Sequence, residues 1–185
     1  MSVMSAELLI RWCAPTMARL KTGSIFTCKF DSRDQMTGDL RKLNQTLGQK
    51  GLRILPLKYQ DGKALLYLYR PKLLERDLKA PAARRLLSEC GYSGYSVCTC
   101  LMQLISRLHE NTGFPHEIGL FLGYPPADVD GFMHRRDSYK LCGLWKVYDN
   151  VEQAVKQFEQ YRRCTQILLR RYAQGCPLEE LTIAG

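Results

Sequence analysis

His116 and Glu117 stand side by side in the stretch Phe114–Phe132, FPHEIGLFLGYPPADVDGF. An imidazole beside a carboxylate can move protons or hold a metal ion, and the dense glycines and prolines around the pair fix a backbone shape. After Phe114-Pro115 the pair is expected in the first turn of a short helix. There Glu117 suits the positive end of the helix dipole and His116 lies at or near the cap. The second histidine of H-E-x-x-H is missing, so a capping His bonded to backbone weighs as much as a general base or metal ligand.

Two further segments carry reactive residue types. Cys13 precedes Pro15 and Thr16, and Lys21-Thr22-Gly23-Ser24 follows. A thiol near a helix end and a lysine can have a lowered pKa and act as a nucleophile or thiolate ligand. The KTGS run precedes a strand, whereas phosphate-cradling loops open into a helix, so it reads as a surface turn. Tyr139–Tyr148, YKLCGLWKVY, sets aromatic faces with Lys140 and Lys146 around Gly143. Stacking faces plus lysines suit a flat or anionic ligand; the competing reading is a buried hairpin or loop anchored by Trp145. Cys164 on the last helix is either a further contributor to such a centre or plain packing.

A different class of function is written over the same stretch. From Glu117 the order E-I-G-x-x-L-G-x-x-x-x-x-V-x-x-F follows helix-turn-helix spacing, with Gly123 at the turn and Val129 and Phe132 at core positions. A DNA-binding regulator would then use residues 117–136 and lay Ala127–Arg136 in the major groove. Asp128 and Asp130 would be exposed at the start of that helix, and Phe114–Arg136 holds two arginines against three carboxylates. DNA affinity rests largely on phosphate neutralisation, so DNA is the disfavoured partner.

The elements that must position these residues follow from the patterning. Ala6–Arg11 reads as a helix disturbed at Pro15, and Ser24–Phe30 as a strand. Ser32 or Asp31 caps a helix carrying Met36, Leu40, Leu43 and Leu47, with Gly51 as its stop. Leu52–Tyr59 and Lys63–Arg70 form a hairpin across Asp61-Gly62. The strand–helix–strand order predicts a parallel crossover, with the hairpin adding an antiparallel strand. Helices follow Pro71 and Pro81, the second ending at Gly91. Another carries Val97, Leu101, Leu104, Ile105 and Leu108 and stops at Asn111-Thr112-Gly113. A last long helix opens at Asp149 and Glu152, a pair resembling a capping box. It lines up Val151, Ala154, Val155, Phe158, Tyr161, Leu168 and Tyr172, and ends at Gly175. The fold class is α+β: a small mixed three-stranded sheet covered by helices, then a helical C-terminal half. Residues 1–185 are expected as one domain, with 1–80 holding the sheet and 81–185 helical.

Composition sets the outer bounds. The 185 residues are 45% hydrophobic and 24% charged, ordinary globular values. No apolar run reaches bilayer-spanning length, and the Leu-Leu-Ile core of MSVMSAELLIRWC is too short for a secretory signal. The expected location is therefore the cytoplasm, with no membrane partner. Eight cysteines without a C-x-x-C pair then read as reduced thiols. Cys28, Cys90, Cys98 and Cys100 are expected as small buried hydrophobes. The net charge of +9 comes wholly from residues 1–115, with 18 Lys/Arg against 9 Asp/Glu, while residues 116–185 balance at 9 each. A solvated basic face explains that excess unless the charges converge.

Five blocks carry a family resemblance: CAPTMARLKTGSIF, LLYLYRP, FPHEIGLFLGYPPADVDGF, GLWKVY and FEQYRRCT. Together they resemble a bacterial family of anaerobic Gram-positive organisms, domain of unknown function 3793, over nearly the whole chain. The resemblance implies a cytoplasmic single-domain protein and no particular activity. The matching polar positions are Cys13, Thr16, Arg70, His116, Glu117, Lys146, Tyr161 and Cys164, which packing alone does not explain, whereas the matching Gly and Pro positions follow from backbone shape. The leading expectation is a centre that handles a metal or an anionic small ligand, with or without catalysis. His116 would be base or ligand, Glu117 its orienting carboxylate, and Cys13 nucleophile or thiolate. Thr16, Arg70, Lys146 and Tyr161 would hold the ligand, and a metal ion, if used, would take His116, Glu117, Cys13 and Cys164.

Overall fold

The computed structural model describes residues 5–94, 96–110 and 113–185, so the expected Asn111-Thr112 stop lies outside the described residues. The chain forms two compact units, Met1–Lys72 with Arg163–Gly185, and Leu73–Arg162.

The first unit begins with α1, Ala6–Met17, whose N-cap Ser5 accepts from the Leu8 N–H at 3.1 Å. Pro15 was expected to disturb this helix, yet lies inside it. Pro15 stands two residues before the helix end, so the helix loses one hydrogen bond, to the Arg11 carbonyl, and has little length left to deflect. Strand β1, Gly23–Lys29, leads to α2, Arg33–Gly48, which Ser32 caps. Strands β2, Arg53–Gln60, and β3, Lys63–Tyr69, form the expected hairpin. Its turn residues Asp61 and Gly62 both take positive φ, 49° and 68°, as a two-residue hairpin turn requires.

The sheet order is β1-β3-β2 and both pairings are antiparallel. This corrects the expected parallel contact: β1 and β2 run the same way, but β3 lies between them. KALLYLY is the strand with apolar residues on both faces, which fits a central position. Pro56 interrupts the ladder of β2, where the register slips before Lys58, and an edge strand tolerates that loss. One face of β3 puts Ala64, Leu66 and Leu68 into a core shared with Leu9, Ile10, Cys13 and Met17 of α1 and Met36, Leu40 and Leu47 of α2. Tyr67 and Tyr69 alternate to the other face and stack at 4.8 Å. Burying each Leu of that core fully is worth about 1.5–3 kcal/mol.

The second unit is mainly helical: α3, Pro71–Lys79, α4, Pro81–Glu89, and α5, Val97–His109, are followed by the short α6, Ile118–Phe121, and α7, Pro126–His134. A two-residue pair, β4 Leu141–Cys142 and β5 Lys146–Val147, precedes α8, Val151–Ala173. The cap of α8 is Asn150, whose Oδ1 accepts from the Gln153 N–H at 3.0 Å, one residue beyond the expected Asp149. Ala154, Phe158 and Tyr161 are buried in the second unit and Cys164 and Leu168 in the first, while Val155 is exposed against expectation. All eight cysteines are free thiols; of the four expected to pack, Cys28 and Cys100 are buried, Cys90 is half-buried and Cys98 is exposed. Among the described residues no helix is long and apolar enough to cross a membrane.

Candidate functional site

The segment after Phe114 folds against the β4–β5 hairpin through three contacts that the sequence prepares. Gly131 of α7 leaves no room for a Cβ against the Tyr148 ring, and Gly143 none against Phe158. These glycines let the hairpin approach α7 and the first turns of α8. Asp128, buried in the first turn of α7, then fastens the pieces: Oδ2 accepts from Trp145 Nε1 at 2.8 Å, and Oδ1 from the N–H groups of Tyr148 and Asp149 at 2.7 and 3.2 Å. Three donors on one carboxylate compensate its loss of water.

Trp145 held in this way stacks on Tyr124 at 4.7 Å and meets Phe158 edge-on at 4.5 Å. Its outer side forms the wall of a cavity of about 360 Å³ lined mainly by apolar and aromatic groups, among them Ile118, Val129, Phe132 and Trp145. Phe114 and Leu144, both about half exposed, also line it. His116 and Lys146 are the basic residues among its lining.

His116 packs edge-on against Phe132, with ring centroids 4.9 Å apart, and its Nε2 meets a terminal nitrogen of Arg136. A guanidinium can only donate, so Nε2 is the acceptor and a neutral His116 carries its proton on Nδ1. Burial and then the Arg136 charge push the imidazole pKa below its ordinary value, with Glu117 opposing. Lys146 directs its ammonium over Tyr139 at 4.5 Å and Phe132 at 5.7 Å from the ring centroids. Arg136 lies 5.8 Å from the centroid of Phe132 as well.

Glu117 has a different surrounding from its neighbour. Its Oε1 accepts from Arg107 Nε at 2.6 Å and from the Tyr92 hydroxyl at 3.1 Å, and Arg107 also donates to the Cys90 carbonyl at 2.9 Å. Burial, then the Glu117 charge, push the Tyr92 hydroxyl well above the usual phenol range. Adjacent in sequence, His116 faces the cavity while Glu117 ties α5 and the Cys90–Tyr92 segment to the start of α6. Tyr161 is buried behind the aromatic wall with Trp145 and Phe158, and burial first, then Tyr124 and Asp77, raise its hydroxyl to about 12.

The remaining candidates belong to the first unit. Cys13 is fully buried in the sheet–helix core, and burial pushes its thiol far above the ordinary range despite nearby Lys21 and a hydrogen bond from Ser24. Such a thiol is a packed hydrophobe, not a ready thiolate. Cys164 shares that core, its thiol likewise raised by burial. The Thr16 and Ser24 hydroxyls bond to each other at 2.9 Å. Arg70 is 2% exposed and donates to four carbonyls: Thr16 and Met17 at the end of α1, Lys50 after α2, and Ile183. Helix C-terminal carbonyls lack intrahelical donors and carry the negative end of the dipole, so a guanidinium suits them. His116 and Lys146 are thus brought to one cavity; Cys13, Thr16, Arg70 and Cys164 serve the interior of the other unit.

The helix-turn-helix reading met α6 as a single turn of four residues and α7 as nine. Asp128, expected at an exposed helix start, is buried on Trp145. Asp130 pairs with Arg85 of α4 at 2.9 Å and lies 3.4 Å from His134 Nδ1. Glu89 completes this group, bonded to Arg85 at 2.7 Å and 3.8 Å from His134 Nε2. Donor atoms of Glu89, Asp130 and His134 lie within 4.8 Å of one another, a three-residue set that could hold a cation and that sequence reading missed. The i, i+4 spacing of Asp130 and His134 was legible, but Glu89 arrives from another helix, and Arg85 already neutralises both carboxylates.

An α+β chain with an aromatic cavity and a two-stranded flap is the class that fold and site define. The family model described as protein of unknown function (DUF3793) matches residues 9–182, and the chain belongs to that family. No curated protein and no solved structure matches it.

Proposed function

We propose that this protein binds a small organic ligand whose flat, apolar part enters the cavity beside Trp145, with His116 and Lys146 supplying the polar contacts. The carrying observation is the cavity itself: about 360 Å³, walled by aromatic and aliphatic side chains, with His116 and Lys146 of two separate segments among its lining residues. That volume falls within the roughly 300–1,000 Å³ typical of small-molecule sites, which combine apolar walls with a few placed polar groups. Half-exposed Phe114 and Leu144 at this cavity give an apolar ligand surface to bury. A metal centre on His116 and Glu117 is the weaker reading, because Arg136 occupies Nε2 of the one and Arg107 and Tyr92 occupy Oε1 of the other.

Trp145 is a built-in reporter, since the only other tryptophan, Trp12, can be replaced by Phe. In the Trp12→Phe protein, a neutral aromatic dye such as N-phenyl-1-naphthylamine should quench Trp145 emission saturably, with one dye per chain. Leu144→Ala, a substitution at a half-exposed side chain, should weaken that binding several-fold while leaving the fold intact. Absence of saturable quenching sinks the proposal.

A further inference from the structure

Building on the cavity as a ligand site, we infer that its occupant is an organic acid, and that Arg136 with Lys146 receives the anionic head group. Both cations lie close to one ring of the cavity, Phe132, at 5.8 and 5.7 Å from its centroid. Neither forms an ion pair with a carboxylate among the described residues. The guanidinium of Arg136 has five N–H donors, and among the described residues its one side-chain hydrogen-bond partner is the imidazole of His116. Among the described residues the Lys146 ammonium meets the faces of Tyr139 and Phe132.

Three carboxylates of the surrounding segments are already committed. Asp128, which lines the cavity, has both oxygens occupied by Trp145, Tyr148 and Asp149. Asp130 is bound to Arg85, and Glu117 to Arg107 and Tyr92. Two cations beside apolar walls, facing rings and an imidazole, leave a position where a carboxylate, sulfonate or phosphate monoester would gain charge-assisted hydrogen bonds. Apolar walls exclude water and strengthen that attraction. Binding would draw Arg136 from His116 Nε2 to the ligand oxygens, making Arg136 the residue that selects acids over neutral molecules of the same shape.

The test compares two dyes of similar body, neutral N-phenyl-1-naphthylamine and 8-anilinonaphthalene-1-sulfonate, on the folded full chain. The sulfonate should bind at least about tenfold more tightly, the ratio expected for one or more charge-assisted hydrogen bonds. Arg136→Met and Lys146→Met should each lower the ratio of sulfonate to neutral-dye affinity several-fold, and the double variant should bring that ratio to one. Raising NaCl to 0.5 M should weaken only the sulfonate. Equal affinities for the two dyes, or a preference surviving in the double variant, overturn the head-group assignment while the cavity reading stands. Binding of neither dye overturns both.

Discussion

Arg70 and Arg136 carry the same guanidinium into opposite circumstances. Arg70 lies inside the first unit with four carbonyl acceptors around it; Arg136 lies against His116 and Phe132, two residues that line the cavity of the second. A buried charge surrounded by fixed partners holds the chain together and leaves nothing for a ligand. A cation with most of its donors uncommitted is available to an incoming group. Asp128 belongs with Arg70 in this respect, although it lines the cavity: its three donors make it part of the wall.

The contrast breaks most visibly at Arg70. Arg70→Ala strips four carbonyls of their donor and should lower the unfolding free energy by about 3–5 kcal/mol. Urea denaturation measures this, and a loss below about 1 kcal/mol would remove Arg70 from the architecture and return it to the candidate ligands. Asp128→Ala leaves the Trp145 indole and two backbone N–H groups without their acceptor. A loss of about 2–4 kcal/mol, with collapse of the near-ultraviolet signal of Trp145, is expected; wild-type stability in this variant would mean the flap is held otherwise. His116 gives the smallest effect and sharpens the comparison through pH. Its folded pKa lies below the unperturbed 6.5, so the unfolded chain binds the proton more readily. Stability from this group is complete above 6.5 and declines as pH falls from there toward the lowered value. In His116→Gln that part of the pH profile should flatten; an unchanged slope assigns the decline to other groups.

Much of the first unit was legible because its signals are local. Alternation marked β1, and Asp61-Gly62 between two apolar runs marked the hairpin. Ser32 before an apolar stripe marked α2. The strand order was not legible in connection lengths, but the two-sided apolar character of Lys63–Tyr69 carried it. In the second unit the sequence singled out Phe114–Phe132 and Tyr139–Tyr148, and the fold brings His116 of the one and Lys146 of the other to one cavity. The sequence also grouped Glu117 with His116, because adjacency suggests cooperation, whereas neighbouring side chains at a helix start diverge. Asp128 and Arg136 were weighed only for how they would face DNA. Their roles depend on partners about 20 residues away across turns, Trp145 and Tyr148 for the one and His116 for the other, and no local period encodes such meetings. Cys13, Thr16, Arg70 and Cys164 stood out as polar residues in constrained segments. Burial gives such residues a second explanation, since a packed thiol and a carbonyl-bound guanidinium are as demanding of their surroundings as a ligand site.

Ile183 reaches back to Arg70 and to the Met17 carbonyl, and Leu181 completes the core begun by α1. The sheet-bearing half therefore leaves the ribosome without its closing piece, and waits on the order of ten seconds while Leu73–Arg162 is translated. During that interval the nascent chain exposes an unfinished apolar surface, the kind of surface that chaperones cover during synthesis.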